Sequence, residues 1–523
     1  MSKKKILWVD DEIELLRSHI IFLSEKGYDV TTVTNGEDAI EAVKQENFDL
    51  IFLDEMMPGL GGLETLNYIK EIDDKLPIVM VTKNEEESLM HDAIGSKISD
   101  YLIKPVVPSQ ILMVCKKFIE KSKISNEYAT KDYLQDFNSI NRQLFEAPDY
   151  EEWVNIYLKL VKWDIELGND THSELYKTLV ELKRECNSEF CKYIEANYKK
   201  WVNNLEDKNR PLLTVEVLEN YVVEHLKANK GPVFFLVIDC LRLDQWLVME
   251  KYLYDTFTFT KNYYYAILPT ATPYARNALF SGLFPSEIEN YYPDLWKNDT
   301  DDENSMNKHE KELLRIFCER KRIKLRNDVK YIKIIDPDLG KNLEQNLHTH
   351  INTHLMAIVI NFLDMIVHHR SDSAVLKEIA PDESAFRSLT ESWFKHSNLM
   401  NIFKIISRMK NATIIVTTDH GSIRTLRASK IIGNRDTSTN LRFKFGKNFT
   451  AEEKDTVYIR NPEEFRLPKR GMTTSYIFAK EDNFFIYPTD YNLYLNKYKD
   501  TFQHGGISME EMILPIITMK TKV

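Results

Sequence analysis

The chain has 523 residues, 43% hydrophobic and 28% charged, with only 16 Gly and 17 Pro, which excludes collagen-like, low-complexity and disordered classes and predicts three or four folding units. Its net charge of −11 is concentrated at the start, where residues 1–121 carry 14 Lys and Arg against 23 Asp and Glu. A polyanion-binding chain shows the opposite balance, so nucleic acid is held at most by a local patch.

The opening residues reach Asp10 and Asp11 before an apolar stretch of signal-peptide length can form, and no run approaches about 18 uncharged apolar residues. The five cysteines are scattered and lack any CxxC pair, which suits a reducing compartment. A soluble, cytoplasmic protein with no membrane attachment is expected.

Within residues 1–121, short β-branched runs at 6–9, 30–33, 50–53, 78–81 and 101–103 alternate with amphipathic stretches. Five βα units predict a doubly wound parallel sheet, with ligands at the carboxyl ends of the strands. Asp10 and Asp11 follow the first run, Asp54 the third, Thr82 the fourth, and Lys104 with Pro105 the fifth. Three convergent carboxylates need a hard cation, and Mg²⁺ takes oxygen ligands of this kind. A carboxylate beside Mg²⁺ attacks a phosphoryl donor, with Lys104 stabilising the transferred oxygens and Thr82 bonding the new phosphoryl group.

These motifs, with Leu53-Asp54-Glu55-Met56-Met57-Pro58-Gly59 and Tyr101-Leu102-Ile103-Lys104-Pro105, resemble a response-regulator receiver domain of flavodoxin-like fold. The resemblance implies that Asp54 is phosphorylated by a sensor histidine kinase. It also implies that Asp10, Asp11 and Asp54 bind Mg²⁺ with the Met56 carbonyl, and that Tyr101 is the switch aromatic. Lys83 follows the threonine where a small residue is common.

Residues 122–230 contain one Gly and two Pro, and Trp153, Ile156, Tyr157, Leu160, Val161 and Asp164 step by three and four as an amphipathic helix requires. A helical-bundle spacer is expected, without an evident DNA-binding helix pair.

From 231 to 523 a second α/β unit is expected. The apolar run 233–238 ends in Asp239, and the run 412–416 ends, after Thr417 and Thr418, in Asp419-His420-Gly421. Asp364 and His368 stand at i and i+4, on one face if helical. His504 precedes Gly505-Gly506, where glycines allow close backbone approach. Thr272-Pro273 suits an N-cap followed by the first helical residue, and a helix N-terminus presents N–H groups to an anion.

The order Asp239, Thr272, Asp364, His368, Asp419-His420, His504 resembles the metal site of the alkaline phosphatase superfamily, including phosphodiesterases and PglZ-type domains. The resemblance implies two zinc ions, one held by Asp364, His368 and His504, the other by Asp239, Asp419 and His420 with the Thr272 oxygen. It further implies a phosphothreonine intermediate. His369 competes with His368, and Arg276, one turn past Thr272, is a candidate phosphate clamp on position alone. Residues 296–312 read as a surface excursion or lid.

Residues 424–471 hold 12 Lys and Arg against 6 Asp and Glu, and Arg442, Lys444 and Lys447 interleave with aromatics in a pattern that contacts backbone phosphates and stacks bases. The succession of receiver (1–121), helical spacer (122–230) and PglZ-type domain (231–523) resembles the response regulators associated with type IX secretion in Bacteroidetes.

Two functions follow. The first is a zinc-dependent phosphodiesterase acting on nucleotides or oligonucleotides, controlled by phosphorylation at Asp54 and by homodimerisation of the receiver. The second is a signalling adaptor or transcription regulator with a structural zinc domain, whose output is contact with a sigma factor or DNA-linked partner.

Overall fold

The first five apolar runs form β1 (Lys4–Val9), β2 (Tyr28–Val33), β3 (Leu50–Asp54), β4 (Ile78–Thr82) and β5 (Asp100–Ile103). They pair in parallel in the order β2-β1-β3-β4-β5. The computed structural model describes residues 4–74, 76–83, 98–119, 127–168, 173–296, 307–370, 373–433, 440–469, 473–489 and 491–522. Alternate residues of the inner strands feed two cores, one with Trp8, Phe52 and Val79, the other with Leu7, Ile51, Leu53 and Ile78. Burial on both faces explains why these runs read as continuously apolar. Helices α1 (Arg17–Glu25), α2 (Gly36–Gln45), α3 (Gly62–Ile72) and α4 (Pro108–Ile119) accompany the sheet.

The helical stretch supplies α5 (Glu127–Phe145), α6 (Tyr150–Leu167) and α7 (Glu174–Asn203). Asp149 caps α6, accepting from Glu151 N and Glu152 N while Glu152 bonds back to Asp149 N, a reciprocal box that satisfies otherwise orphaned donors. The expected stripe from Trp153 to Asp164 is buried. The chain divides into two units, Met1–Pro148 with Asp170–Lys183 and Asp149–Asn169 with Arg184–Val523. The helical stretch is therefore shared between them.

In the second unit the main strands are β6 (Val233–Ile238), β7 (Phe257–Tyr265), β8 (Lys330–Ile334), β9 (Leu355–Ile360) and β10 (Thr413–Thr417). Short strands follow: β11 (Ile423–Thr425), β12 (Arg427–Lys430), β13 (Phe443–Gly446), β14 (Thr456–Ile459), β15 (Ser475–Ala479), β16 (Asn483–Ile486) and β17 (Thr501–Gln503), before β18 (Ile513–Thr521). The main sheet runs β7-β18-β10-β6-β9-β8. β8, β9, β6 and β10 are parallel, and β18 is antiparallel to both its neighbours. Helices α8 (Leu243–Glu250), α9 (Thr272–Ser281), α10 (Glu310–Arg320), α11 (Phe362–Arg370) and α12 (Glu383–His396) complete the elements used below. One face buries Phe234, Leu236, Ile358 and Val416. On the other, α9 packs through Phe280 against Phe235 and Tyr331. No helix among the described residues is long and apolar enough to cross a membrane.

Candidate metal centres

β10 pairs with β6 so that Thr417 stands beside Val237, which brings the following acids, Asp419 and Asp239, to one sheet edge. Asn361, just past β9, donates to Asp239 Oδ2 at 2.8 Å, as does Arg276 Nη1. Among the described residues these bonds leave Asp239 Oδ1 without a hydrogen-bond partner, and Asp419 Oδ2 has none either. Both residues are fully buried, and unpartnered carboxylate oxygens there are costly unless a cation meets them. His420 Nε2 lies 3.8 Å from Asp239 Oδ1 and 3.9 Å from Asp419 Oδ2. His420 Nδ1 faces Gly421 O at 3.0 Å; a carbonyl only accepts, so Nδ1 carries the proton and Nε2 turns its lone pair inward.

Asp364 and His368 stand one turn apart on α11. Asp364 Oδ1 is 3.4 Å from His368 Nε2 and 3.6 Å from His504 Nε2, and the two imidazole nitrogens are 3.2 Å apart. The His420 and His504 rings stack with centroids 4.2 Å apart. Donor atoms of Asp364, His420 and His504 lie within 4.8 Å of one another, and so do those of Asp239, Asp419 and His420. His420 thus belongs to both groups, where the sequence assigned it to one. His369 is turned away, exposed, with Nδ1 on Met365 O at 2.8 Å, which leaves His368 as the partner of Asp364. Gly506, two residues past His504, lets the backbone pass close to β15, since a Cβ there would stand 2.5 Å from Ala479 O.

Burial pushes the Asp239 and Asp419 carboxyls above the ordinary range, against the pull of Arg276. Burial acts likewise on Asp364, but His368, His504 and His420 outweigh it and hold that group low. Imidazole nitrogens with carboxylate oxygens are a donor set that fits a divalent cation such as zinc.

Thr272 Oγ1 lies 2.9 Å from His420 Nε2. The expected N-cap role is corrected: Ala271 is the N-cap, Thr272 is the first residue of α9, and no side chain caps the helix. A capping hydroxyl would be tied to backbone N–H groups, whereas this one faces the imidazole.

The phosphate clamp expected of Arg276 is also corrected. Its side chain is 1% exposed, with Nη1 on Asp239 at 2.8 Å and Nε 2.8 Å from Glu310 and 3.6 Å from Asp419. A guanidinium enclosed by three carboxylates balances them and does not reach substrate. The same holds for Arg442, which is buried and gives Nε and Nη2 to Glu511 at 3.2 and 2.6 Å. Lys444 is buried with its ammonium 5.4 Å from the Tyr487 ring centre. Of the three expected substrate contacts only Lys447 is exposed, because β13 is a buried strand paired with β15. Within the expected lid, residues 297–306 lie outside the described residues, and Glu310 opens α10.

In the first unit, Asp54 is set beside Val81, and Thr82 beside Ile103, so the strand-end residues meet at one edge. Oxygens of Asp10, Asp11 and Asp54 lie within 4.8 Å of one another, a set that fits Mg²⁺. Lys104 Nζ bridges Asp10 Oδ2 at 2.8 Å and Asp54 Oδ2 at 2.7 Å. Burial raises the Asp54 carboxyl despite the Lys104 bond. Burial lowers Lys104, but bonds to both acids leave it above its ordinary range. Met56 N faces Asp54 Oδ1 at 3.4 Å. Thr82 Oγ1 donates to Glu55, a partner that sequence reasoning missed. Lys83 turns outward to Glu12 at 3.4 Å. Tyr101, 37% exposed, lines a cavity of about 400 Å³ with Asn138, Arg142 and Phe145 of α5.

Linker helices hold the loops of the second centre. Asn187 of α7 donates to Glu510 at 2.9 Å and accepts from Met509 N at 2.8 Å, and Cys191 Sγ meets Ile507 O at 3.2 Å. Tyr198 Oη accepts from Leu268 N at 2.7 Å, four residues before Thr272. From α6, Asp164 meets Arg387 of α12 at 3.2 Å, which reaches Asp244 of α8 at 3.1 Å.

Family models match three consecutive stretches: a response regulator receiver domain over residues 6–116, a PorX response regulator linker domain over 123–202, and a BREX system PglZ alkaline phosphatase-like domain over 217–519. Among curated relatives, the transcriptional regulatory protein ResD of Bacillus subtilis is 33% identical over 121 residues, 23% of this chain and 50% of ResD. The alkaline phosphatase synthesis transcriptional regulatory protein PhoP of the same organism is 35% identical over 124 residues, 23% of this chain and 51% of PhoP. The chain thus spans about half the length of these relatives. The solved structure of response regulator TrrA from Thermotoga maritima, with Mg²⁺ and BeF, is 30% identical, covering 22% of this chain and 98% of that one with a TM-score of 0.21. With receiver, linker and phosphatase-like stretches in this order, the chain is a response regulator of PorX-like architecture and belongs to the PglZ alkaline phosphatase-like family.

Proposed function

We propose that the chain is a zinc-dependent phosphodiesterase, controlled by phosphorylation at Asp54, that cleaves nucleotide or oligonucleotide diesters and serves the regulation of type IX secretion. The observation that carries this reading is the Thr272 hydroxyl 2.9 Å from Nε2 of His420, the residue shared by two donor groups, each of which has a buried carboxylate oxygen without a hydrogen-bond partner among the described residues.

Asp364, His368 and His504 would hold one zinc, and Asp239, Asp419 and His420 the other. When bound, the pair supplies positive charge to the entering and leaving oxygens of an in-line displacement and lowers the pKa of a nearby hydroxyl. The Thr272 proton passes to water as Oγ1 bonds to phosphorus, the bond to the leaving alcohol breaks, and that oxygen takes a proton back from water. Water then hydrolyses the phosphothreonine, restoring the hydroxyl and releasing a phosphomonoester. The N-terminus of α9 faces the added negative charge with the positive end of its dipole. Arg276 holds Asp239 Oδ2, which leaves Oδ1 for the cation.

In the receiver, a sensor histidine kinase supplies the phosphoryl group to Asp54. Asp10, Asp11, Asp54 and the Met56 carbonyl hold Mg²⁺, Thr82 and Lys104 contact the new group, and Tyr101 reports it. The test is zinc content together with turnover of bis(p-nitrophenyl) phosphate by the full chain and by Thr272→Val. About two zinc ions in both proteins and hydrolysis lost by at least about 10³-fold in the variant are expected. A zinc-loaded wild type without turnover would instead support an adaptor whose output is a sigma factor or other transcription partner.

A further inference from the structure

Lys333 stands on β8 level with Val359 of β9, which in turn is level with Val237 of β6. Residues level on adjacent parallel strands share a face, and residues two apart return to it. Lys333 therefore lies on the face that carries Asp239, two positions beyond Val237. Two contacts fix that face: Asn361, two past Val359, bonds Asp239, and Tyr331, two before Lys333, packs on Phe280 of α9.

The setting is apolar and acidic. Glu310 Oε2 is 4.0 Å from Lys333 Nζ, and among the described residues no hydrogen bond reaches that ammonium. Glu310 is already engaged by Arg276 Nε at 2.8 Å and by the Tyr331 hydroxyl. The side chain of Lys333 is 21% exposed, and its one ion pair among the described residues is a long one, to Glu310. Such an ammonium is a strong point donor awaiting an anion. Burial and the neighbouring Arg276 lower its pKa, while Glu310, Asp239 and Asp419 act the other way.

We infer that Lys333 is a substrate-contacting residue that receives a phosphate oxygen not taken by the metals. This rests on the phosphodiesterase reading for its substrate but not for its test. Unlike Arg276, which three carboxylates enclose, Lys333 has donors to give. Its three N–H groups suit a phosphate oxygen approaching from the solvent side of the sheet edge.

The experiment is calorimetric titration of the zinc-loaded full chain with inorganic phosphate, in wild type, Lys333→Met and Lys333→Arg, with zinc content measured in each. The wild type is expected to bind phosphate, Lys333→Met to bind it at least tenfold more weakly with unchanged zinc, and Lys333→Arg to stay within about threefold. Equal binding by Lys333→Met, or no binding by the wild type, overturns the assignment. Turnover of bis(p-nitrophenyl) phosphate decides the other question: intact phosphate binding without turnover removes the diesterase reading alone.

Discussion

Arg276 and Asp239 form an ion pair 2.8 Å long in which neither side chain is more than 1% exposed. Breaking a buried pair by deleting one partner costs about 3–5 kcal/mol, because the other charge is stranded. Arg276→Met should lower stability on that scale in zinc-free protein and should weaken zinc binding at the Asp239 group. Urea unfolding with and without zinc measures both. A variant as stable as wild type in both conditions would show that the pair does not balance the acids.

His420 touches both donor groups, whereas Asp419 and His504 touch one each. His504→Ala should therefore lose mainly one zinc and Asp419→Ala mainly the other, while His420→Ala should deplete both. Metal analysis after dialysis distinguishes these. Full retention of both ions in His420→Ala would place the ligands elsewhere.

His354 is buried, with Nδ1 accepting from Arg326 N at 3.1 Å and Nε2 facing Leu226 O at 3.0 Å. A backbone N–H only donates and a carbonyl only accepts, so this ring is held neutral. Burial first, and then Arg326, lowers its pKa despite the Leu226 bond. Its contribution to stability is complete above the unfolded value of about 6.5 and is lost as pH falls below it. Melting curves from pH 7.5 to 5.0 should show a decline that His354→Gln flattens; parallel declines in both proteins would contradict the assignment.

The receiver is expected to dimerise on phosphorylation through its last helices, including Ile111 to Phe118. BeF₃⁻ with Mg²⁺ should shift monomer toward dimer, and Asp54→Ala should lose the shift while keeping zinc. A differential affinity of about 3 kcal/mol changes such an equilibrium about 150-fold, well within the reach of sedimentation. An unchanged monomer fraction in mimic-bound protein would reject the coupling.

Asp239 and Asp419 were legible because a strand buried on both faces stops abruptly at an acid, a local signal requiring no partner. Asp364 with His368 was legible for the same reason, since a helical repeat places both on one face. The cations were not. Arg276 answers to Glu310, and Arg442 to Glu511, and no spacing links residues so far apart in the chain. A basic, aromatic stretch such as 441–447 therefore reads as a binding edge although β13 buries it. Lys333 was hidden differently: one lysine in a short strand resembles a solvated edge until the neighbouring strands show which face it occupies. Thr272 was read one position off, because Thr-Pro fits both an N-cap start and a first-turn start.

The bonds that α7 makes at 187, 191 and 198 fall four and seven residues apart, along one edge of a single helix, and end on the segments that precede Thr272 and follow His504. A fragment begun at Gly231, two residues before β6, would strip away that edge. It would orphan the Leu268 N–H and the Met509 N–H at about 1–3 kcal/mol for each unsatisfied group, and leave Arg387 with Asp244 but without Asp164. A fragment begun at Asp149 keeps every one of these bonds. The phosphatase-like fold is thus longer than its own sheet, and the helices before it hold the loops that carry its site.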